Sequence, residues 1–255
     1  MRSGFTVLIP SRMGSTRLAA KALLDLGGVS MVVRCCEVAW RSGASRVVVA
    51  TDHELIQKAV EKAGYEAIMT DESLKNGTER LAQATEKLHL NSEEIVVNLQ
   101  GDEPTLDSET LSAMVDYLSD NAHCDMVTLC YPLIVEAELV RPSVVKVVLN
   151  AQSEALYFSR APIPFSRDRP LALTQQSFRH VGVYAYTVAF LRKYSAYPVS
   201  SLEEIESLEQ LRALWYGHRI GVIQGRGSYL GGVDTPEDAK RIAEYFRVSL
   251  REITV

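Results

Sequence analysis

Residues 46–52 read Arg-Val-Val-Val-Ala-Thr-Asp. Three valines and an alanine in unbroken succession describe a strand covered on both faces, because a strand with one wet face alternates apolar and polar side chains. Covering both faces takes helices, and the neighbouring sequence supplies them. Upstream, FTVLIP (5–10) is another short apolar run, and residues 31–42 between the two have helical period. Downstream, a helical stretch at 54–63, the run YEAIM (65–69), a helical stretch at 78–88 and the run EIVVNL (94–99) continue the alternation. Strand and helix in turn are the pattern of βαβ units, so the first ~120 residues are expected to form a doubly wound, mostly parallel sheet of the α/β class.

Further along, strand candidates crowd together (MVTLCYPL, VVKVVL, ALYFS and VGVYAY) with few helices between them. This predicts an antiparallel lobe, 124–190, inserted into a single domain spanning 1–255. Leu202, Ile205, Leu208, Leu211 and Trp215 recur at helical spacing and predict one packed amphipathic helix. A last helix is expected from Thr235-Pro236-Glu237-Asp238, where Thr235 can cap, Pro236 suits the first helical position and Asp238 can return a bond to the cap. Its apolar stripe is Ala239, Ile242, Ala243, Phe246 and Leu250.

With 255 residues, 47% hydrophobic and 23% charged, the composition is that of an ordinary globular protein and excludes wholesale disorder. The balance of 27 Lys and Arg against 32 Asp and Glu, net -5, argues against a nucleic-acid-coating role. The apolar run at 5–10 is too short for a signal peptide or a membrane span, so no membrane partner and a cytoplasmic setting are expected. Cys35, Cys36, Cys124 and Cys130 lack metal-ligand spacing and read as reduced, buried thiols.

Directly after the first strand comes Ser-Arg-Met-Gly-Ser-Thr-Arg-Leu-Ala-Ala-Lys (11–21), with Arg12, Arg17 and Lys21 at the strand's carboxyl end. Open α/β sheets bind ligands at that edge. Gly14 permits close backbone approach, Ser15 and Thr16 offer donors, and the three cations suit a triphosphate. The same spacing also fits a solvated loop, and it is neither a P-loop nor GxGxxG. Asp102 follows the strand at 94–99, and Asp234 follows Gly231-Gly232-Val233 just before the last helix. Each reads alone as a turn or cap residue. Together they could serve one Mg²⁺, which takes a few carboxylates plus water and phosphate oxygens. Glu103 reads as a turn or supporting residue, and Thr78 in NGTER (76–80) as a helix cap.

As strings, SRMGSTRLAAKAL, VVVATDHE, NGTERLAQ, IVVNLQGDEP, VKVVLN, ALYFSRAPIPF, RHVGVYAY, SLEQLRALWYG and GGVDTPED occur in one order over nearly the whole chain. This set resembles the sugar-activating nucleotidyltransferases, and within them the 3-deoxy-manno-octulosonate cytidylyltransferases, or CMP-Kdo synthetases. The resemblance implies the nucleotide-diphospho-sugar transferase type of fold, CTP and an acidic 3-deoxy sugar as substrates, Mg²⁺ on Asp102 and Asp234, a homodimer, and a place in lipopolysaccharide biosynthesis. It implies catalytic roles for Arg12, Lys21, Asp102 and Asp234, and nucleotide contacts from Arg12, Ser15, Arg17, Lys21, Gly77 and Arg80. An octulosonate has a carboxylate and a ring of hydroxyls, and Gln100, Arg160, Arg167, His180, Tyr184, Glu209 and Gln210 are the candidates to meet them; a planar guanidinium suits the carboxylate.

One departure stands out. Relatives carry Pro-Gly-Lys-Pro where this chain has Ala19, Ala20, Lys21 and Ala22. If the glycine position needs positive φ, alanine there is strained. Three rivals remain at this stage: a cytidylyltransferase for sialic acid, one for an amino-octulosonate, and a non-catalytic nucleotide-binding paralogue. A GT-A glycosyltransferase is disfavoured because the chain has no Asp-x-Asp.

Overall fold

The computed structural model describes residues 4–14, 18, 20–74, 76–169, 171–227 and 229–253, with side chains to 248. It divides into two compact units, residues 1–112 with 228–255 and residues 113–227. The second unit is therefore an insertion in the sequence of the first, and is wider than the 124–190 expected.

In the first unit, β1 (Thr6–Ser11), α1 (Met31–Arg41), β2 (Arg46–Thr51), α2 (Glu54–Lys62), β3 (Glu66–Met69), α3 (Gly77–Lys87) and β4 (Ile95–Asn98) alternate as anticipated. The strands lie in the order β3-β2-β1-β4, and every pairing is parallel. Residues 47–51 of β2 are all buried, as the unbroken apolar run required. The helix α3 is capped by Asn76, whose Oδ1 accepts the Glu79 N–H at 2.8 Å. Thr78, expected as the cap, is instead a buried residue of the first turn. Asn competes well for this position because its short side chain reaches the orphan N–H groups.

Helix α4 (Ser108–Asp120) carries the chain into the second unit, which holds β5 (Met126–Pro132), the short α5 (Glu136–Leu139), β6 (Lys146–Leu149), β7 (Ala155–Ser159), β8 (Phe178–Thr187), α6 (Val188–Ser195), α7 (Ser201–Glu206), α8 (Leu211–Trp215) and β9 (Ile220–Gln224). Here β5 pairs antiparallel with β8 and parallel with β9, and β6 pairs antiparallel with β7 and β8. The antiparallel character expected of this region is present. The helix expected across 202–215 is broken into α7 and α8 at Ser207, which adopts a left-handed backbone with φ 50°. Leu208 and Leu211 are buried, but Ile205 and Trp215 are exposed. Glu203 is buried and bonds Arg212 at 2.5 and 2.7 Å.

The last helix, α9 (Pro236–Ile253), belongs to the first unit. Thr235 and Asp238 exchange the expected bonds: the Thr235 N–H donates to Asp238 Oδ2 at 3.1 Å and the Asp238 N–H to Thr235 Oγ1 at 3.2 Å. Ile242 and Ala243 pack on Leu26 and Met31. All four cysteines are buried free thiols. Among the described residues no helix is long and apolar enough to cross a membrane.

Candidate functional site

In the first unit, the carboxyl ends of β1, β2 and β4 lie side by side because the three strands are parallel neighbours. β1 and β2 pass directly into Arg12 and Asp52, and β4 reaches Gln100 after the buried Leu99. Gly101 lets the segment after β4 run against β1, since a Cβ there would lie 3.1 Å from the Pro10 carbonyl oxygen. The next residue is Asp102. The segment before α9 meets it through the backbone, with the Val233 N–H donating to the Asp102 carbonyl at 2.9 Å. Gly232 is needed for this approach, because a Cβ would sit 2.9 Å from Glu103 Oε1 and 3.1 Å from the Asp102 oxygen. Tyr229 donates its hydroxyl to the buried Glu103 carboxylate, at 2.6 and 2.7 Å from its two oxygens. Glu103 thus braces the junction between the two aspartate-bearing segments.

Asp102 and Asp234 converge on one ammonium. Lys21 Nζ lies 2.8 Å from Asp102 Oδ2 and 3.1 Å from Asp234 Oδ1. Burial acts to lower the Lys21 pKa, but the two carboxylates outweigh it and the net shift is upward. The lysine is charged at neutral pH. Its side chain is 14% exposed, whereas the aspartates are 35% and 42% exposed and remain accessible from solvent. Two hard carboxylates on glycine-flanked segments, open on one side, have the donor chemistry that suits Mg²⁺.

Lys21 opens a single 3₁₀ turn (Lys21–Leu23), and the residue before it, Ala20, has φ 49° and ψ 36°. The backbone at this position is therefore left-handed, and it carries alanine. Such a conformation costs an L-residue with a Cβ roughly 1–2 kcal/mol. Ala20→Gly is expected to raise unfolding stability by about 0.5–1 kcal/mol, the relief being partly offset by the freer unfolded chain; matched urea titrations read this directly. No gain would mean that the strain is absorbed elsewhere in the turn.

Arg12 is exposed and Gly14 lies beside it on the same loop, while Ser15, Arg17 and Ala19 fall outside the described residues. The Met13 N–H donates to Asp52 Oδ1 at 3.2 Å, tying this loop to the end of β2. Asp52 also receives Arg80 Nη2 at 2.9 Å, and Arg80 Nη1 reaches Thr70 Oγ1 at 2.5 Å. Arg80, expected on the nucleotide, is 3% exposed and its guanidinium makes these two bonds within the protein. Its role in this geometry is to hold Asp52, and through it the loop. Gly77 faces Pro10 of β1. Gln100 is half-buried, with its amide directed at Asn98 Oδ1 at 3.4 Å.

In the second unit, three sugar-side candidates share one network. Tyr184 Oη donates to Gln210 Oε1 at 3.1 Å, and Gln210 Nε2 lies 3.5 Å from His180 Nδ1. The other imidazole nitrogen, Nε2, lies 2.9 Å from Thr128 Oγ1. Phe158 packs edge-on against the imidazole at 4.8 Å between centroids. Burial pushes the His180 pKa down to about 3, so the ring is neutral at physiological pH. Burial likewise holds the Tyr184 hydroxyl well above its ordinary value, with Glu209 adding to the effect. Glu209 is half-buried, and its carbonyl accepts the Tyr194 hydroxyl.

A pH dependence follows from His180. The unfolded chain takes up a proton on this residue below about pH 6.5 while the folded chain does not, so stability falls as pH drops from there toward 3. Between pH 6.5 and 5 the parent is expected to lose about 2 kcal/mol more than His180→Gln. Urea midpoints at the two pH values test it, and equal losses would show that the ring protonates in place.

Arg167 is exposed. Arg160, expected on the sugar carboxylate, turns its guanidinium onto backbone: Nε to Glu206 O at 2.6 Å, Nη2 to Ser207 O at 3.1 Å and Nη1 to Pro142 O at 2.9 Å. Those carbonyls include the end of α7, which has no intrahelical donors left for them. This geometry makes Arg160 a clamp on the α7–α8 corner. Sequence reasoning did not single out Asp52, Thr128 or Tyr229. Asp52 had a visible signal in its place at the carboxyl end of a buried strand; the other two act through partners distant in sequence.

Comparison with known proteins adds a separate line. The cytidylyltransferase family profile matches residues 6–220. A 3-deoxy-manno-octulosonate cytidylyltransferase of Leptothrix cholodnii is 47% identical over 247 residues, covering 95% of this chain and 91% of that protein. The protein of the same name from Proteus mirabilis is 45% identical over 252 residues, covering 97% and 99%. A solved structure of CMP:2-keto-3-deoxy-manno-octonic acid synthetase complexed with CTP superimposes with a TM-score of 0.89 at 37% identity, covering 97% of this chain and all of that one. A cytidylyltransferase structure from Leptospira borgpetersenii, at 20% identity and a TM-score of 0.62, shares the fold.

Proposed function

The chain belongs to the cytidylyltransferase family, and from that premise we infer that it couples CTP to 3-deoxy-manno-octulosonate, giving the CMP-sugar and pyrophosphate. In this reaction the anomeric 2-hydroxyl of the sugar attacks the α-phosphorus of CTP. The new P–O bond forms as the bond to the β-phosphate oxygen breaks, and the hydroxyl proton is released.

The observation that carries the reading is the convergence of Lys21, Asp102 and Asp234, from three separate segments, at hydrogen-bond distance. Arg12 and Lys21 would neutralise charge on the leaving pyrophosphate, an electrostatic contribution that needs no covalent intermediate. Asp102 and Asp234 would hold Mg²⁺, which when bound supplies charge to phosphate oxygens and favours ionisation of the attacking hydroxyl. Glu103, Gly232 and Tyr229 keep the two aspartates in register. Ser15 and Arg17 are proposed to extend the phosphate contacts, with Gly77 placed for the nucleotide.

In the second unit, the neutral His180, Tyr184 and Gln210 offer uncharged donors and acceptors matched to sugar hydroxyls, with Gln100, Glu209 and the exposed Arg167 as further contacts. A homodimer, a cytoplasmic setting and a role in lipopolysaccharide precursor synthesis belong to the same proposal and rest on the resemblance alone.

The test is a matrix of acidic sugars, including sialic acid and an amino-substituted octulosonate, against all four nucleoside triphosphates with Mg²⁺, read by pyrophosphate release. CTP with 3-deoxy-manno-octulosonate should be the best pair. Tight CTP binding without pyrophosphate release from any sugar would reject the enzyme reading.

A further inference from the structure

The carboxylates assigned above to a divalent cation are the same two that Lys21 bridges. We propose that Lys21 competes with the divalent cation for Asp102 and Asp234, so that the pair becomes fully available only when the nucleotide has drawn the ammonium onto its phosphates. This inference rests on the metal reading of the two aspartates and goes beyond it by giving Lys21 two alternating partners.

The charges make the argument. With Lys21 in place, three side chains carry a net single negative charge, a weak lure for a free divalent ion. An ammonium in hydrogen-bond contact with both carboxylates also repels any second cation brought to them. Triphosphate carries more negative charge than the aspartate pair, and so outcompetes it for the ammonium. Once the ammonium has moved to phosphate, the pair regains a charge of -2. By linkage, nucleotide and metal then strengthen each other's binding by the same factor.

Two features set this arrangement apart from a structural ion pair. The carboxylates are more than one-third exposed, so a cation arriving from solvent can reach them. The lysine is also delivered by a left-handed residue, Ala20, which fixes where its side chain starts.

The experiment uses the full chain, with Mn²⁺ as the probe and free Mn²⁺ read by its paramagnetic resonance signal in the absence of nucleotide. Lys21→Met is expected to bind Mn²⁺ about ten-fold more tightly than the parent, the scale of releasing two part-exposed ion pairs. Lys21→Arg keeps the competing charge and should stay near the parent. In chelator, calorimetry should show Lys21→Met binding CTP about ten-fold more weakly, because the ammonium's second partner is the triphosphate.

If Lys21→Met binds Mn²⁺ no more tightly while Asp102→Asn and Asp234→Asn still lose it, competition is disproved and the metal reading stands. If neither aspartate variant alters Mn²⁺ binding, the metal reading itself fails and takes the proposal with it. CTP affinity unchanged in Lys21→Met would refute the exchange onto phosphate. Urea titration of each variant confirms that a folded protein is being compared.

Discussion

Replacing Asp102 or Asp234 by alanine is expected to cut pyrophosphate release about a thousand-fold or more while leaving the protein folded, on the scale of losing a group that organises charge at a phosphoryl centre. Each substitution removes one of the two carboxylates that, among the described residues, gather on Lys21. The stability effect should be small. Each aspartate is more than one-third exposed, and an ion pair of that exposure contributes at most about 1 kcal/mol. The measurement is therefore a pair: turnover with CTP, Mg²⁺ and the octulosonate, and a urea midpoint. Turnover within ten-fold of the parent in either variant would reject the metal assignment. Loss of activity together with unfolding would instead point to a structural role, and chelation of Mg²⁺ from the parent should reproduce the activity loss alone.

The second large effect concerns a residue with no catalytic part. Lys146 is fully buried in β6, and its ammonium donates to the carbonyls of Arg141 at 3.0 Å, Val144 at 2.6 Å and Arg160 at 2.5 Å. Burial pulls its pKa down to about 8, opposed by Glu206 and assisted by Arg160. At pH 7 it remains charged and uses all three donors. Lys146→Met keeps the length of the side chain but leaves three carbonyls without that donor. The expected cost is about 3–5 kcal/mol, the range for breaking a buried charged network. Chemical denaturation followed by circular dichroism measures it. A loss below 1 kcal/mol would show that water or backbone movement satisfies the carbonyls. Because Arg160 carries one of them and clamps the α7–α8 corner, the variant should also raise KM for the sugar more than for CTP.

Much of the fold was legible because its signals are local. The unbroken apolar run in β2 required cover on both faces, and the Thr235–Asp238 box marked the start of α9 to the residue. The break between α7 and α8 was not legible. It depends on a left-handed serine, on Glu203 being buried against Arg212, and on Arg160 reaching from just past β7 to meet the loose carbonyls, none of which a helical wheel contains. The site divides in the same way. Lys21 and Asp102 could be named because parallel strands send their carboxyl ends to one edge, and Asp234 because two glycines precede it just ahead of the last helix. Arg80 and Arg160 meet protein groups in this geometry for a shared reason: a guanidinium suits buried carbonyls and carboxylates as well as it suits a ligand, and the fold decides which partners lie within its reach.

The first unit is assembled from two stretches of chain with the whole of the second unit strung between them. Its two aspartates therefore sit on opposite sides of that long excursion, and the later one lies just ahead of the final helix. During synthesis, the polypeptide emerging from the ribosome carries Asp102 through the whole of that excursion before Asp234 exists to meet it. A chain that stops short of Asp234 therefore holds Asp102 without the carboxylate that shares Lys21 with it.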